Sequence, residues 1–173
     1  MKKIIVSLVL GLSALVAQAQ EKKHQVHWNI ANTIAFASVE FGYQYFIDDH
    51  QSVGVDFLIN DTYNMSFGRE AKDFETNSYQ LSYNYYTGEA QDEWVISPFV
   101  KMRAGEYQKH EGAPIVNMDS FILGAGAAYI WNLNDTFVFG PTASIGRNFS
   151  EDVNDEFKSG VEFHLGARIG FRF

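Results

Sequence analysis

The last fifteen residues, 159–173, constrain this chain more than any other stretch. Every odd position from Val161 to Phe173 is apolar, and the even positions between them are Glu162, His164, Gly166, Arg168, Gly170 and Arg172. A strand turns successive side chains to opposite faces, so one face is greasy and the other polar or very small. A soluble sandwich strand also alternates, but it seldom closes on an unprotected aromatic such as Phe173. A membrane barrel strand accounts for the whole stretch: apolar residues meet lipid and polar ones face the lumen.

The opposite end of the sequence points the same way. Lys2 and Lys3 form a short positive region, Ile4 to Val16 an apolar one, and Ala17-Gln18-Ala19 an A-x-A cleavage site. The pattern predicts a secretory signal peptide over residues 1–19, too short to span a bilayer comfortably, and a mature chain over 20–173. The net charge of −8 argues against a nucleic-acid partner. The absence of cysteine removes thiol catalysis, disulfides and a cysteine-based zinc site. No metal or other cofactor is expected, and a monomer is.

Eight alternating segments follow. They run over about 25–34, 38–47, 52–60, 77–86, 94–106, 120–131, 136–149 and 161–173. The first places Val26, Trp28 and Ile30 on one face and His27, Asn29 and Ala31 on the other. Short polar connections, such as Asp48-Asp49-His50-Gln51 and Asn132-Leu133-Asn134-Asp135, follow the second, fourth and sixth segments. Longer polar stretches, 61–76, 107–119 and 150–158, follow the third, fifth and seventh. An even strand number with short turns at one end and long loops at the other is the pattern of an outer-membrane barrel. Pro98 removes a ladder donor, which suits a bulge or a strand start.

Aromatic residues, 16% of the chain, supply a second test. Trp28, Tyr45, Tyr83, Tyr85, Trp94, Tyr129, Trp131, Phe137, Phe171 and Phe173 are expected at the short-turn ends on the apolar face, as an interfacial girdle. A soluble lipocalin-like barrel requires the reverse polarity, apolar inside and polar outside. The expected fold is therefore all-β: an eight-stranded antiparallel up-and-down transmembrane barrel in the outer membrane of a Gram-negative bacterium.

The pattern resembles the small eight-stranded outer-membrane proteins typified by OmpX and the OmpA transmembrane domain. The runs Val39-Glu40-Phe41-Gly42-Tyr43-Gln44-Tyr45-Phe46 and Ile145-Gly146-Arg147-Asn148-Phe149 and the ending Gly170-Phe171-Arg172-Phe173 look like a domain-of-unknown-function family of outer-membrane barrels. That resemblance implies a fold and a location, and no activity. The ending is also similar to the carboxyl-terminal signal read by the barrel-assembly machinery. Leu165, Ala167, Ile169, Phe171 and Phe173 would carry that signal.

The inward positions collect Glu40, Asp56, Lys101, Arg103, Glu162, His164, Arg168 and Arg172. Side chains just fill an eight-stranded interior, and buried charges must pair. The expectation is a lumenal network in which Glu40, Asp56 and Glu162 meet Lys101, Arg103 and Arg168. Below it, Phe46, Tyr86, Val95, Ile130 and Val138 are expected to plug the short-turn mouth. An ion or proton path through these charges is the sharper alternative. A symmetric last hairpin sets Ser144 opposite His164, with Glu162 nearby, a trio that could serve as nucleophile, base and orienting acid of a lipid-modifying enzyme. The acidic loop 150–158 reads as a solvated loop or a divalent-cation site. Arg147 breaks the outward apolar pattern. It either reaches lipopolysaccharide phosphates or is turned inward by a bulge. The function expected is non-enzymatic, structural or surface-interacting, with outer-membrane lipid and lipopolysaccharide as surroundings and specificity in the loops. A narrow solute channel is the alternative.

Overall fold

In hydrocarbon no water is present to satisfy a sheet edge, so strands can span a membrane only if their ladder closes on itself. The computed structural model, which describes residues 22–64, 73–134 and 136–173, contains such a ring. Its elements are β1 (His24–Asn29), α1 (Ile30–Phe36), β2 (Val39–Phe46), β3 (Gln51–Ile59), β4 (Phe74–Tyr86), β5 (Glu93–Tyr107), β6 (Val116–Asn117), β7 (Ser120–Asn132), β8 (Phe137–Asn148), α2 (Glu151–Phe157) and β9 (Val161–Arg172). All strands except the two-residue β6 form the barrel. Neighbours in sequence pair antiparallel, β5 pairs β7, and β1 pairs β9 to close the ring. The expected signal peptide and its cleavage residues Ala17 and Ala19 lie outside the described residues.

The alternation read from the sequence is the alternation of burial. Along β2, Glu40, Gly42, Gln44 and Phe46 are buried and Phe41, Tyr43 and Tyr45 exposed. Leu81, Trp94 and Met102 are each more than half exposed, whereas Lys101 and Arg103 are buried. This inversion of the soluble pattern is what a lipid-facing exterior demands. The outward rings form a nearly continuous girdle at the short-turn end: Trp94 meets Tyr129, Tyr129 meets Trp131, Phe137 meets Phe171 and Phe171 meets Phe173, with centroids 5.1–6.0 Å apart. Trp28 is the exception. It is the fifth of the six residues of β1, away from the short-turn rim, and its indole N–H donates to Thr33 Oγ1 at 3.0 Å.

Four elements depart from the expected pattern, the smallest being β6, which lies within the expected loop 107–119 and pairs with the end of β5. The first strand stops at Asn29 rather than continuing to Ile34, because Asn29 caps α1, its side chain accepting from the Asn32 backbone N–H. Asn32 and Phe36, four apart, are the buried residues of that helix. The stretch 151–157 is likewise helical rather than a loop. Glu151 and Asp152 favour its amino-terminal turn, and Val153 is buried. The fourth strand begins at Phe74, three residues earlier than expected.

No bulge appears at the two doubtful positions. The β4–β5 register is the same on both sides of Pro98. Only the rungs between Ser82↔Phe99 and Tyr85↔Ile96 are lost, because proline has no N–H to offer. Arg147 pairs in unbroken register with Leu123 and Val161, which leaves it facing outward.

Two variants separate the faces. Leu165→Arg places a charge on the lipid side of β9, and Gly126→Ser adds a hydroxymethyl group on the lumenal side, where a Cβ would meet nothing closer than 3.4 Å. In lipid vesicles the first should cost about 2–4 kcal/mol and the second within about 0.5 kcal/mol. Equal denaturation midpoints would mean that the two faces are exchanged.

Candidate functional site

The lumen is the place where chemistry-bearing side chains converge, and it is layered. At the short-turn end Phe46, Tyr86, Val95, Ile130 and Val138 pack together with Ala128 as one buried cluster. Arg172 closes over this plug. Its guanidinium lies 5.2 Å from the Phe46 ring centroid and donates to Gln25, to Asn132 and to the carbonyls of Ala90 and Gln91. The β4–β5 turn is thereby strapped across the mouth.

Above the plug sit two carboxylates on separate partners. Asp56 accepts from His27 Nε2 at 2.6 Å, with Gln80 farther off at 3.5 Å. Glu40 accepts from Asn29 Nδ2 at 2.9 Å and from Asn32 Nδ2 at 2.6 Å. Asp56 departs from the expected pairing with Lys101, Arg103 or Arg168, because His27, also inward, is nearer. Glu40 keeps an expected ion pair, though a long one. Arg168 reaches Glu40 only at 3.9 Å and His164 only at 4.0 Å. The two asparagines intervene because α1 folds over this part of the wall. A cavity of about 70 Å³ lies beside them, bordered by His164, Arg168, Ser144 and Thr142.

Nearest the long-loop end the charges are densest. Arg103 grips Glu162 through both terminal nitrogens, at 2.9 and 2.7 Å, while its Nε donates to Asp61 at 3.0 Å. Lys101 donates to the same Asp61 oxygen at 2.9 Å and lies 3.6 Å from Glu162. Ser78 and Asn148 complete the set, donating to Asp61 and Glu162 respectively. Burial pushes the Asp61 carboxyl up, but the Arg103 and Lys101 charges pull it farther down, so it is held below the usual carboxylate range.

Asp61 is the functional residue that the sequence pattern hides. Continued alternation along β3 would turn position 60 inward and 61 outward. Asn60, however, adopts a left-handed backbone (φ 57°), and that shifts the phase by one residue. The signal available was the asparagine itself, a residue that enters this region more readily than most.

The alternative trio of Ser144, His164 and Glu162 is not assembled. Ser144 does lie opposite His164. But Glu162 is committed to Arg103, and His164 Nε2 is engaged by Asn32 Nδ2 at 2.8 Å. On the acidic segment, Glu151, Asp152, Asp155 and Glu156 are exposed along α2, and among the described residues no group of three or more histidine or acidic side chains is placed to hold a metal ion.

The long-loop end is covered too, a feature absent from the sequence reading. Tyr63, Phe74, Tyr107, Met118 and Val153 form a second buried cluster, with Phe157 and Val116 packed against it. Phe157 of α2 stacks on Tyr63 at 4.3 Å and meets Tyr107 at 5.3 Å. The Tyr63 hydroxyl donates to the Ser159 carbonyl, tying this cap to the start of β9.

No protein-family model matches the sequence, and no curated protein matches it significantly. Solved structures do resemble it. The N-terminal β-barrel domain of Pseudomonas aeruginosa OprF superposes with a TM-score of 0.58 at 14% identity, covering 89% of this chain and 100% of that one. Neisserial surface protein A superposes with a TM-score of 0.52 at 11% identity, covering 87% and 93%. The chain thus has the fold of small bacterial outer-membrane barrels, the all-β eight-stranded ring that its alternation implied.

The outer charge cluster makes a quantitative test. Arg103→Met leaves Asp61 and Glu162 with Lys101 as their only full counter-charge among the described residues. The variant should lose about 3–5 kcal/mol of folding free energy in urea titrations followed by heat-modifiable gel migration. A loss below about 1 kcal/mol would mean that solvent already screens the cluster.

Proposed function

We propose that the chain is a non-enzymatic integral barrel of the outer membrane, closed to solutes, whose outer surface and loops make its contacts. The observation that carries this reading is the pair of apolar clusters that bracket a charge-paired lumen. One is the plug around Phe46 and Val138, the other the cap around Tyr63 and Phe157. A solute crossing axially would have to displace both and separate Arg103 from Glu162 and Asp61, at several kcal/mol for each ion stranded. The outward band of Leu81, Met102, Leu123 and Leu165 supports residence in a bilayer. The lumen charges Glu40, Asp56, Lys101, Arg103, Glu162, His164 and Arg168 are structural in this reading. The barrel is monomeric, and its surroundings are outer-membrane lipid and lipopolysaccharide.

Planar-bilayer recording tests the closure. The purified barrel should give no steady single-channel conductance, and Lys101→Gln with Arg103→Gln should lower stability rather than alter ion selectivity. Reproducible wild-type conductance whose selectivity follows those two residues would establish the channel instead.

Biogenesis offers a separate test. In this reading Leu165, Ala167, Ile169, Phe171 and Phe173 present an apolar edge to the barrel-assembly machinery. Deletion of Phe173 should deplete the heat-modifiable form from outer-membrane fractions. Normal amounts there would remove the assembly role from this ending.

A further inference from the structure

Among the described residues, Arg147 is the only lysine or arginine on the lipid-facing positions of the strands. The remaining basic strand residues, Lys101, Arg103, Arg168 and Arg172, point into the lumen. Arg147 is exposed, and it has neither an ion pair nor a hydrogen bond with any described residue. Its place in the ladder is fixed, opposite Leu123 on β7 and Val161 on β9, one residue from the outer end of β8. A guanidinium facing the bilayer midplane is strongly disfavoured, but near an interface most of that cost disappears. The end of β8 is such an interface.

The direction of the side chain is also legible. A Cβ added at Gly160 would come 2.7 Å from both Arg147 Cζ and Nη1 and 2.9 Å from Asn154 Oδ1. The guanidinium therefore lies against the Gly160 backbone, just before β9 begins, and is drawn toward the outer rim rather than down the hydrocarbon face. Only a glycine leaves that space. Around it Phe121, Leu123, Phe149 and Phe163 are exposed apolar side chains. A planar cation with no ion pair to any described residue, bordered on its outward side by apolar surface at the outer rim, matches one kind of ligand: an anionic headgroup whose own chains occupy the flanking lipid.

We propose that Arg147, seated on Gly160, binds the phosphate of an outer-leaflet lipid. Guanidinium and phosphate match in charge and in bidentate geometry. The nearby exposed carboxylates of α2, Glu151, Asp152, Asp155 and Glu156, repel a free anion, as does the net charge of −8. A lipid phosphate is delivered in the plane of the membrane, so it does not depend on attraction from bulk solvent. The proposal rests on the outer-membrane reading above.

Native mass spectrometry of the detergent-purified barrel, titrated with phosphorylated lipid A, dephosphorylated lipid A, phosphatidylglycerol and inorganic phosphate, tests the site. Wild type should retain one phosphorylated lipid A at least tenfold more tightly than Arg147→Gln, and more tightly than it retains the dephosphorylated form. Arg147→Lys should keep part of the affinity, and Gly160→Ala should reduce it by displacing the guanidinium. Equal retention of phosphatidylglycerol would support a site for lipid phosphates in general. Competition by inorganic phosphate would overturn the lipid source, and equal affinity of wild type and Arg147→Gln would overturn the site. Heat-modifiable migration of each variant separates lost binding from lost fold. Failure of the wild-type chain to fold into lipid vesicles would overturn the outer-membrane reading, and the site with it.

Discussion

Everything in this structure depends on the obligation to pair backbone N–H and C=O groups where no water is present. That obligation closes eight strands into a ring, and the ring sets the polarity of each position. Outward residues meet hydrocarbon, so they are apolar. Inward residues share a space just wide enough for side chains, so each charge there needs a partner from another strand. Arg103 on β5 and Glu162 on β9 are 59 residues apart in sequence and meet at 2.7 Å because the ring places their strands across the lumen.

The interior is therefore stabilised in a way that also shuts it. The Arg103–Glu162–Asp61–Lys101 cluster contributes little beyond its own desolvation cost if both partners are present, yet loss of one partner is expensive. Apolar clusters above and below exclude water and raise that penalty further. Between them the wall on the β7–β9 side is lined with small residues, Gly126, Ser144 and Gly146, beside a cavity of about 70 Å³. Such a volume suits a few bound waters rather than a solute path.

Faces were legible in the sequence because a period of two leaves no ambiguity over eight or more residues. The inward set, the short-turn plug and the Ser144–His164 register all follow from counting alone. What counting could not reach were the places where the period changes. Asn29 ends one strand and caps a helix, and Asn60 shifts the phase and turns Asp61 inward. Residues 151–157 carry Val153 and Phe157 at helical spacing within a run dominated by charge. Each of these is a local backbone choice made by asparagine or by a helix start, and each moves a residue of the site. The cap around Phe157 was hidden for a related reason. Its aromatics come from three connections that read individually as polar: Tyr63 and Phe74 from 61–76, Tyr107 from 107–119 and Phe157 from 150–158.

The seam where the ring closes has a kinetic meaning. β1 contributes only five residue pairs to β9, from Gln25↔Arg172 to Asn29↔Arg168, whereas β8 and β9 share eleven. Beyond Asn29 the edge of β9 is sealed by side chains, Asn29 Oδ1 accepting from Ala167 N–H at 3.0 Å and Asn64 Oδ1 from Phe163 N–H at 2.8 Å. The two strands stand at opposite ends of the sequence, so this shortest of the full-strand ladders also spans the largest loop to be closed. Hairpins can zip progressively from β2 to β9 without it. The last step is then a brief latch of those five pairs and the mutual backbone hydrogen bonds of His24 and Phe173, completed by two amides in place of a continued strand. The same latch sets the order of opening: the first backbone hydrogens to exchange with water in the outer half of the wall are those along β9 from Phe163 to Ala167.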